Sequence, residues 1–256
     1  MDIKETTTNK SGQQYQRKVE MPSVDKIINA INQRGMFNQM RRYNYGYSAE
    51  DALPIIEAIG KTRNPDFVVD EHNRFAYLNF AKWVHGDPTM QAISPTTGQP
   101  IQGRLKRGIY IGGMTGSGKS WCLDIMRAYS LAMKIAILTP ESEEPRNLYW
   151  QTFRADEICD EFAAQGSFQR FKKMELIGIQ DLGSEPHETL YMGNRIDVMR
   201  QFIEYRGDMM AELTLITSNF KLGGDMMNNR YGDRVASRLC EMCNYLVISG
   251  KDRRKN

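Results

Sequence analysis

No stretch of this 256-residue sequence comes near the roughly 20 consecutive apolar residues that span a bilayer. The polar opening MDIKETTTNKSGQQYQRK also has no apolar core of the kind a secretory signal carries. Membrane-spanning and exported classes are thereby set aside, and a cytoplasmic protein is expected. Cysteine is scarce: Cys122, Cys159, Cys240 and Cys243 form no spaced disulfide framework, which suits a reducing compartment. The CxxC pair, Cys240 and Cys243 in RLCEMCNYL, has neither a second CxxC nor a nearby histidine to complete a zinc site. Leu239, Met242 and Cys243 are expected instead to share one buried helix face. An excess of one charge is missing as well. With 34 basic against 31 acidic residues the formal charge is +3, so nucleic acid has to be met by a local patch and not by a global field.

What remains is an ordinary globular composition, long enough for one large domain or a core with an appendage. Beyond the loose polar opening, Val24, Ile27, Ile28 and Ile31 recur at helical steps behind a capping Ser23 and predict a helix to about residue 42. Its Met36, Phe37, Met40 and Tyr43 offer a candidate partner surface. Further helices are expected over about 49–60 and 73–85, giving a small helical, partner-binding N-terminal region at 1–90. QAISPTTGQPIQG then marks a linker at 91–107. From 108 to 256 the texture changes: RGIYIGG, KIAILTP, MELIGIQD, LTLITSN and NYLVIS read as strands, with helical patterns between them at about 119–133, up to 164, 190–205 and 233–242. Such alternation predicts an α/β domain with a five-stranded parallel sheet between helices.

The most specific signal is GGMTGSGKS. Gly113, Gly118, Lys119 and Ser120 satisfy G-x-x-x-x-G-K-[ST], with a strand before and a helix after. Glycines at 113, 116 and 118 let the backbone of Gly113, Met114, Thr115, Gly116, Ser117 and Gly118 wrap around phosphate oxygens. Lys119 can reach the terminal phosphates, the Ser120 hydroxyl can hold magnesium, and the helix adds its positive N-terminal end. Trp121, bulky for a helix start, is expected to pack against the sheet. Hydrolysis needs an acid near the metal, a polar group for the attacking water and a cation for developing charge. Gln180 and Asp181 end the third strand; Thr217, Ser218 and Asn219 end the fourth; Arg234 and Arg238 lie one helical turn apart. A small-molecule P-loop kinase is disfavoured, because the late residues supply an arginine pair where a kinase needs a lid and an acceptor pocket.

GIYIGGMTGSGKS, DLGSEP, TLITSNF and YGDRVASRLCEMCNYLVISGKDRRK, in that order, resemble the DnaC-like replicative helicase loaders, a branch of the AAA+ P-loop ATPases. FVVDEHNRFAYLNFAKWVHGDP is similar to the segment ahead of the ATPase core in loaders from Bacteroides-type bacteria and their mobile elements. The resemblance implies ATP and Mg2+ as cofactors, an ATP-dependent oligomer, single-stranded DNA and a replicative DNA helicase as partners. It puts Asn219 at the sensor-1 position and Arg238 at the arginine finger, which reaches a neighbouring protomer's nucleotide. Arg253 or Arg254 falls near the sensor-2 arginine, with Arg254 chosen as a nucleotide contact.

The same resemblance exposes a departure. Where the family ends its third strand in two acids, this chain has Gln180 at the metal position and Asp181 at the base position. A glutamine amide accepts a hydrogen bond from a metal's water but brings no negative charge. Strand alternation sends Gln180 and Asp181 to opposite faces, so an exchange of duties requires a bulge. Glu185 is a candidate substitute acid. The expectation is a loader with impaired hydrolysis; the alternative is a nucleotide-locked adaptor or scaffold of a phage or mobile element. Arg104, Lys106, Arg107 and the basic tail 251–255 are candidate phosphate contacts for DNA.

Overall fold

The computed structural model describes residues 3–8, 11–19, 23–33, 41–43, 48, 51–138, 144–209 and 212–253, and the chain divides into two compact units, 1–38 and 39–256. In the first unit β1 (Ile3–Thr8) and β2 (Gln14–Val19) pair antiparallel, Ile3 opposite Val19 and Thr8 opposite Gln14. Composition suggested loose chain there, but the run of β-branched threonines favours extended backbone. Next comes α1 (Val24–Gln33), where Ser23 Oγ accepts from the Lys26 amide at 3.4 Å, in the manner of an N-cap. The described helix covers 24–33, and Arg42, where the predicted helix was to end, belongs to a strand. Met36, Phe37 and Met40 lie outside the described residues, and Tyr43 belongs to a strand of the second unit, β3 (Arg41–Tyr43).

That unit continues with α2 (Ala52–Arg63) and α3 (Arg74–His85). The stretch expected as a linker is folded: β4 (Gln91–Ile93) and β5 (Pro100–Gln102) form a hairpin. The Gln91 amide donates to Asn79 Oδ1 at 2.7 Å and the Arg104 amide to Asn244 Oδ1 at 2.8 Å, tying both ends down. Then follow β6 (Gly108–Gly112), α4 (Lys119–Ala132), β7 (Ala136–Leu138), β8 (Arg146–Asn147), β9 (Gln151–Arg154), α5 (Ala155–Gln165) and α6 (Gln169–Lys172). The chain ends through β10 (Leu176–Leu182), β11 (Thr189–Tyr191), β12 (Asn194–Ile196), α7 (Val198–Asp208), β13 (Leu213–Ser218), α8 (Asp225–Tyr231), α9 (Asp233–Met242) and β14 (Cys243–Val247).

The five-stranded parallel sheet is present, in the order β14-β6-β13-β10-β9. Its second strand is not KIAILTP. That run forms β7, which pairs antiparallel with β3 and β8, and the place beside β10 goes to QTFR. An edge strand keeps one side wet and so reads as polar, while the apolar run drew the eye. Likewise 190–205 opens as a hairpin and not as a helix. Met192 and Gly193, at φ 47° and 82°, make the turn, and α7 starts only after Asp197 accepts from the Arg200 amide at 3.1 Å. Cys243 starts β14 and does not share the helix face of Leu239.

Alternation along the strands builds a core on each face of the sheet. Ile109 and Ile111 of β6 join Leu213, Leu215 and Leu246 under α2, α3 and α4, whereas Tyr110, Ile177, Ile179 and Ile216 face α5, α7 and α9. The helices expected to form a separate N-terminal region therefore share one core with the sheet: Phe80 stacks on Trp150 at 5.8 Å and Trp83 Nε1 donates to Arg107 O at 2.6 Å. Trp121 packs at the edge of this core, on Phe67 and under the guanidinium of Arg63 at the end of α2, 4.8 Å from its ring. Among the described residues no helix is long and apolar enough to cross a membrane. Leu215→Ala, at a fully buried position in the middle of the sheet, is expected to lower unfolding free energy by about 2–5 kcal/mol in a denaturant titration, against roughly 0.5 or less for a polar substitution at exposed Val24.

Candidate nucleotide site

The loop 113–118 leaves the carboxyl end of β6 and delivers the chain to α4. Gly116 and Gly118 sit at φ 77° and 100°, in the left-handed region where a side chain is strained. At Gly113 a Cβ would collide with the Ile248 carbonyl, so the neighbouring strand's exit closes over the loop. Met114 and Thr115 are exposed at the rim, and Ser117 is buried with its Oγ lacking a hydrogen-bond partner. Lys119 is 5% exposed, and its ammonium donates to Gly113 O at 3.0 Å, Met114 O at 2.8 Å and Asn219 Oδ1 at 2.8 Å. The structure thus brings Asn219, from the end of β13, directly to the loop lysine. Ser120 is half-buried on the first turn of α4.

These features fit a triphosphate. A glycine cradle too tight for side chains, a helix N-terminus, an ammonium and an unpartnered hydroxyl are the donor set that phosphate oxygens accept from. For magnesium the candidates are Ser120 on the first turn of α4 and Gln180 and Asp181 at the end of β10, which carry oxygens of the kind the ion takes.

Gln180 and Asp181 occupy an irregularity. Ile179 of β10 sits opposite Ile216 of β13 and Leu182 opposite Ser218, so β10 spends one residue more than its partner, and Asp181 takes φ 57°. The extra residue returns Leu182 to the same core as Ile179 and releases Gln180 and Asp181 from strict alternation. The bulge that an exchange of duties requires is therefore there. The Asp181 amide donates to Thr217 Oγ1 at 3.1 Å, and its carboxylate faces Arg154 Nη1 at 3.4 Å. Arg154 is shared with Asp156, whose hydrogen bond and charge, with Asp181 further off, raise the guanidinium pKa. Ser218 Oγ is committed locally, donating to Leu182 O at 2.6 Å.

Glu185 is not a spare acid. Its side chain is fully buried; Oε1 accepts from Arg230 Nη2 at 2.8 Å and from the Tyr231 hydroxyl, and Oε2 from the Gly183 amide at 2.8 Å. Arg230 also meets Asp197 at 3.0 Å. Arg238 lies between α9 and α7, donating to Glu204 O at 3.1 Å and to the Asp208 carboxylate, while Arg234 is exposed, 3.9 Å from Glu204. Arg254 lies outside the described residues, as does Lys255. Its neighbour Arg253 lies at the loop: its amide donates to Gly116 O at 3.0 Å, and its Nη2 meets both oxygens of Asp70 at 2.8 Å. Asp70 was not foreseen, because nothing in FVVDEHNR singles it out before folding brings the tail to it.

Of the basic residues ahead of β6, Arg104 and Lys106 are exposed, whereas Arg107 is half-buried and donates to Cys240 O at 3.1 Å; burial lowers its pKa. All of them line an open cavity of about 530 Å³ together with Glu212 and Glu241.

No family model and no curated protein matches the chain. Among solved structures it is similar to "Crystal structure of the DnaC helicase loader", at 20% identity and TM-score 0.47, covering 72% of this chain and 94% of that one. It is also similar to "Structure of AMPPCP-bound DnaA from Aquifex aeolicus", at 16% identity and TM-score 0.44, covering 75% of this chain and 51% of that one. Likenesses this distant assign no chemistry, which has to come from the residues. Glu185→Gln is expected to destabilise the fold by up to about 3–5 kcal/mol, read as a lower denaturant midpoint, because it removes the buried counter-charge of Arg230 and leaves it only the more exposed Asp197.

Proposed function

We propose that this chain is an AAA+ ATP-binding protein of the helicase-loader type. It holds ATP and Mg2+ at 113–120, self-associates through the bound nucleotide, and engages a replicative DNA helicase and single-stranded DNA. The observation that carries the reading is the Lys119 ammonium held between the loop carbonyls and Asn219. It couples the phosphate cradle to the end of the neighbouring strand, where a polar group can sense the terminal phosphate. Bound nucleotide with its metal supplies the phosphoanhydride and a Lewis acid to polarise it. The protein's own part is to cradle the phosphates with backbone amides, to direct the Lys119 charge at them, and to hold a water near Asp181.

Asp181 is the carboxylate left at the end of β10 once Glu185 is engaged with Arg230, and Gln180 brings no charge to the metal. Binding is therefore supported more strongly than turnover. Arg238, as a finger, has to leave Asp208 before it reaches a neighbouring protomer, which links its use to assembly. Gln180 also supports a second reading, a nucleotide-locked adaptor of a phage or mobile element that recruits its partner without productive hydrolysis.

Two substitutions test this. Lys119→Ala is expected to weaken binding of ATP with magnesium by about 10- to 100-fold, the worth of a charge-assisted hydrogen bond, in a calorimetric titration. It should also abolish ATP-dependent capture of a purified replicative helicase, and capture that ignores both nucleotide and this substitution rejects the loader reading. Gln180→Asp is expected to raise ATP turnover by about tenfold, the equivalent of roughly 1.4 kcal/mol in the barrier. Wild-type turnover already equal to that of the variant, with DNA and helicase present, rejects the idea of impaired hydrolysis.

A further inference from the structure

The end of the described chain runs across the mouth of the phosphate loop. After β14, the Ile248 amide donates to Gly112 O at 2.9 Å and the Ser249 amide to His72 O at 3.0 Å, which carries the tail between the loop and the turn ahead of α3. Asp252 then lies directly on Gly116: a Cβ there would collide with its carboxylate. Arg253 fixes this arrangement at both ends. Its amide donates to Gly116 O at 3.0 Å, its Cδ passes 3.9 Å from where Gly118 would carry a Cβ, and its guanidinium grips both oxygens of Asp70 at 2.8 Å. Asp70 is itself anchored, accepting from the His72 amide at 3.0 Å, while its own amide donates to Asn73 Oδ1 at 2.9 Å.

We propose that residues 249–253 are an autoinhibitory latch, in which the Arg253–Asp70 clasp holds the Asp252 carboxylate against the loop that receives a nucleoside triphosphate. The proposal rests on the nucleotide reading of 113–120 and deepens it. A loop built to attract phosphate is met at Gly116 by an anion of the same sign as the incoming ligand, and like charges at contact distance oppose each other. Triphosphate binding and latch closure therefore compete. Opening moves the tail and frees Asp70, so nucleotide occupancy is passed from the loop to the turn ahead of α3. The glycine at 116 serves both states, since any side chain would fill the space that Asp252 occupies.

The test is equilibrium binding of a fluorescent nucleoside triphosphate with magnesium to the full chain, comparing wild type with Asp252→Asn, Asp70→Asn and Lys119→Ala. Asp252→Asn keeps the shape and removes the charge; it is expected to tighten binding by about tenfold, with the gain shrinking as salt rises. Asp70→Asn loosens the clasp and is expected to shift affinity in the same direction by less. Hydrogen exchange should show amides 249–253 losing protection when nucleotide binds. Unchanged or weaker binding by a folded Asp252→Asn, while wild type binds and Lys119→Ala does not, overturns the latch and leaves the nucleotide site standing. Absence of binding in wild type and all variants overturns both together.

Discussion

A lysine ammonium that is almost wholly buried can stay charged only if oxygens surround it, and this requirement organises the site. Lys119 finds them in Gly113 O and Met114 O of its own loop and in Asn219 Oδ1 of the next strand. The first pair forces the loop to fold back on itself, which glycines at 116 and 118 permit. The third demands that β13 lie beside β6, which the parallel order β14-β6-β13-β10-β9 provides. With β14 on the other side, the chain leaving the sheet has to pass over the loop, and its Ile248 carbonyl and Asp252 carboxylate come to rest on Gly113 and Gly116. The sheet order thus decides what surrounds the loop 113–118.

Charge around this centre is already assigned to partners. Glu185 is spent on Arg230 in a buried pair, Asp208 on Arg238, Asp70 on Arg253, and Asp181 shares Arg154 with Asp156. The buried pair is structural, since removing either member would leave the other charge buried with less compensation. The half-exposed pairs are different in kind: they are weak enough in water to be exchanged for a new partner. Among the described residues Arg154, Arg238 and Arg253 are held by such exchangeable carboxylates, an arrangement that suits the nucleotide-dependent change of contacts proposed above.

The bulge in β10 shows how one residue redirects a site. Strict alternation sets Gln180 and Asp181 on opposite faces, and the slipped register between Ile179 and Leu182 lifts that rule. No pattern in LIGIQDLG marks the slip, because register is a property of two strands and is written in neither alone. The hairpin at 189–196 and the polar edge strand β9 escaped prediction for related reasons: apolar periodicity finds elements buried on both sides and passes over those that face water.

By itself the sequence determined the glycine loop 113–118, the strand before it and the helix after it, and the polar end of β13, while the family resemblance added the missing acid at Gln180. These depend on residue type at short spacing, and local backbone chemistry reads such spacing directly. Only the tertiary structure decided which strand neighbours β10, that α2 and α3 belong to the sheet's core, that Glu185 is locked away, and that Asp70 meets Arg253 across 183 residues. Those outcomes come from packing and charge pairing between segments far apart in the chain, where many partners satisfy the same composition and only the folded geometry selects one.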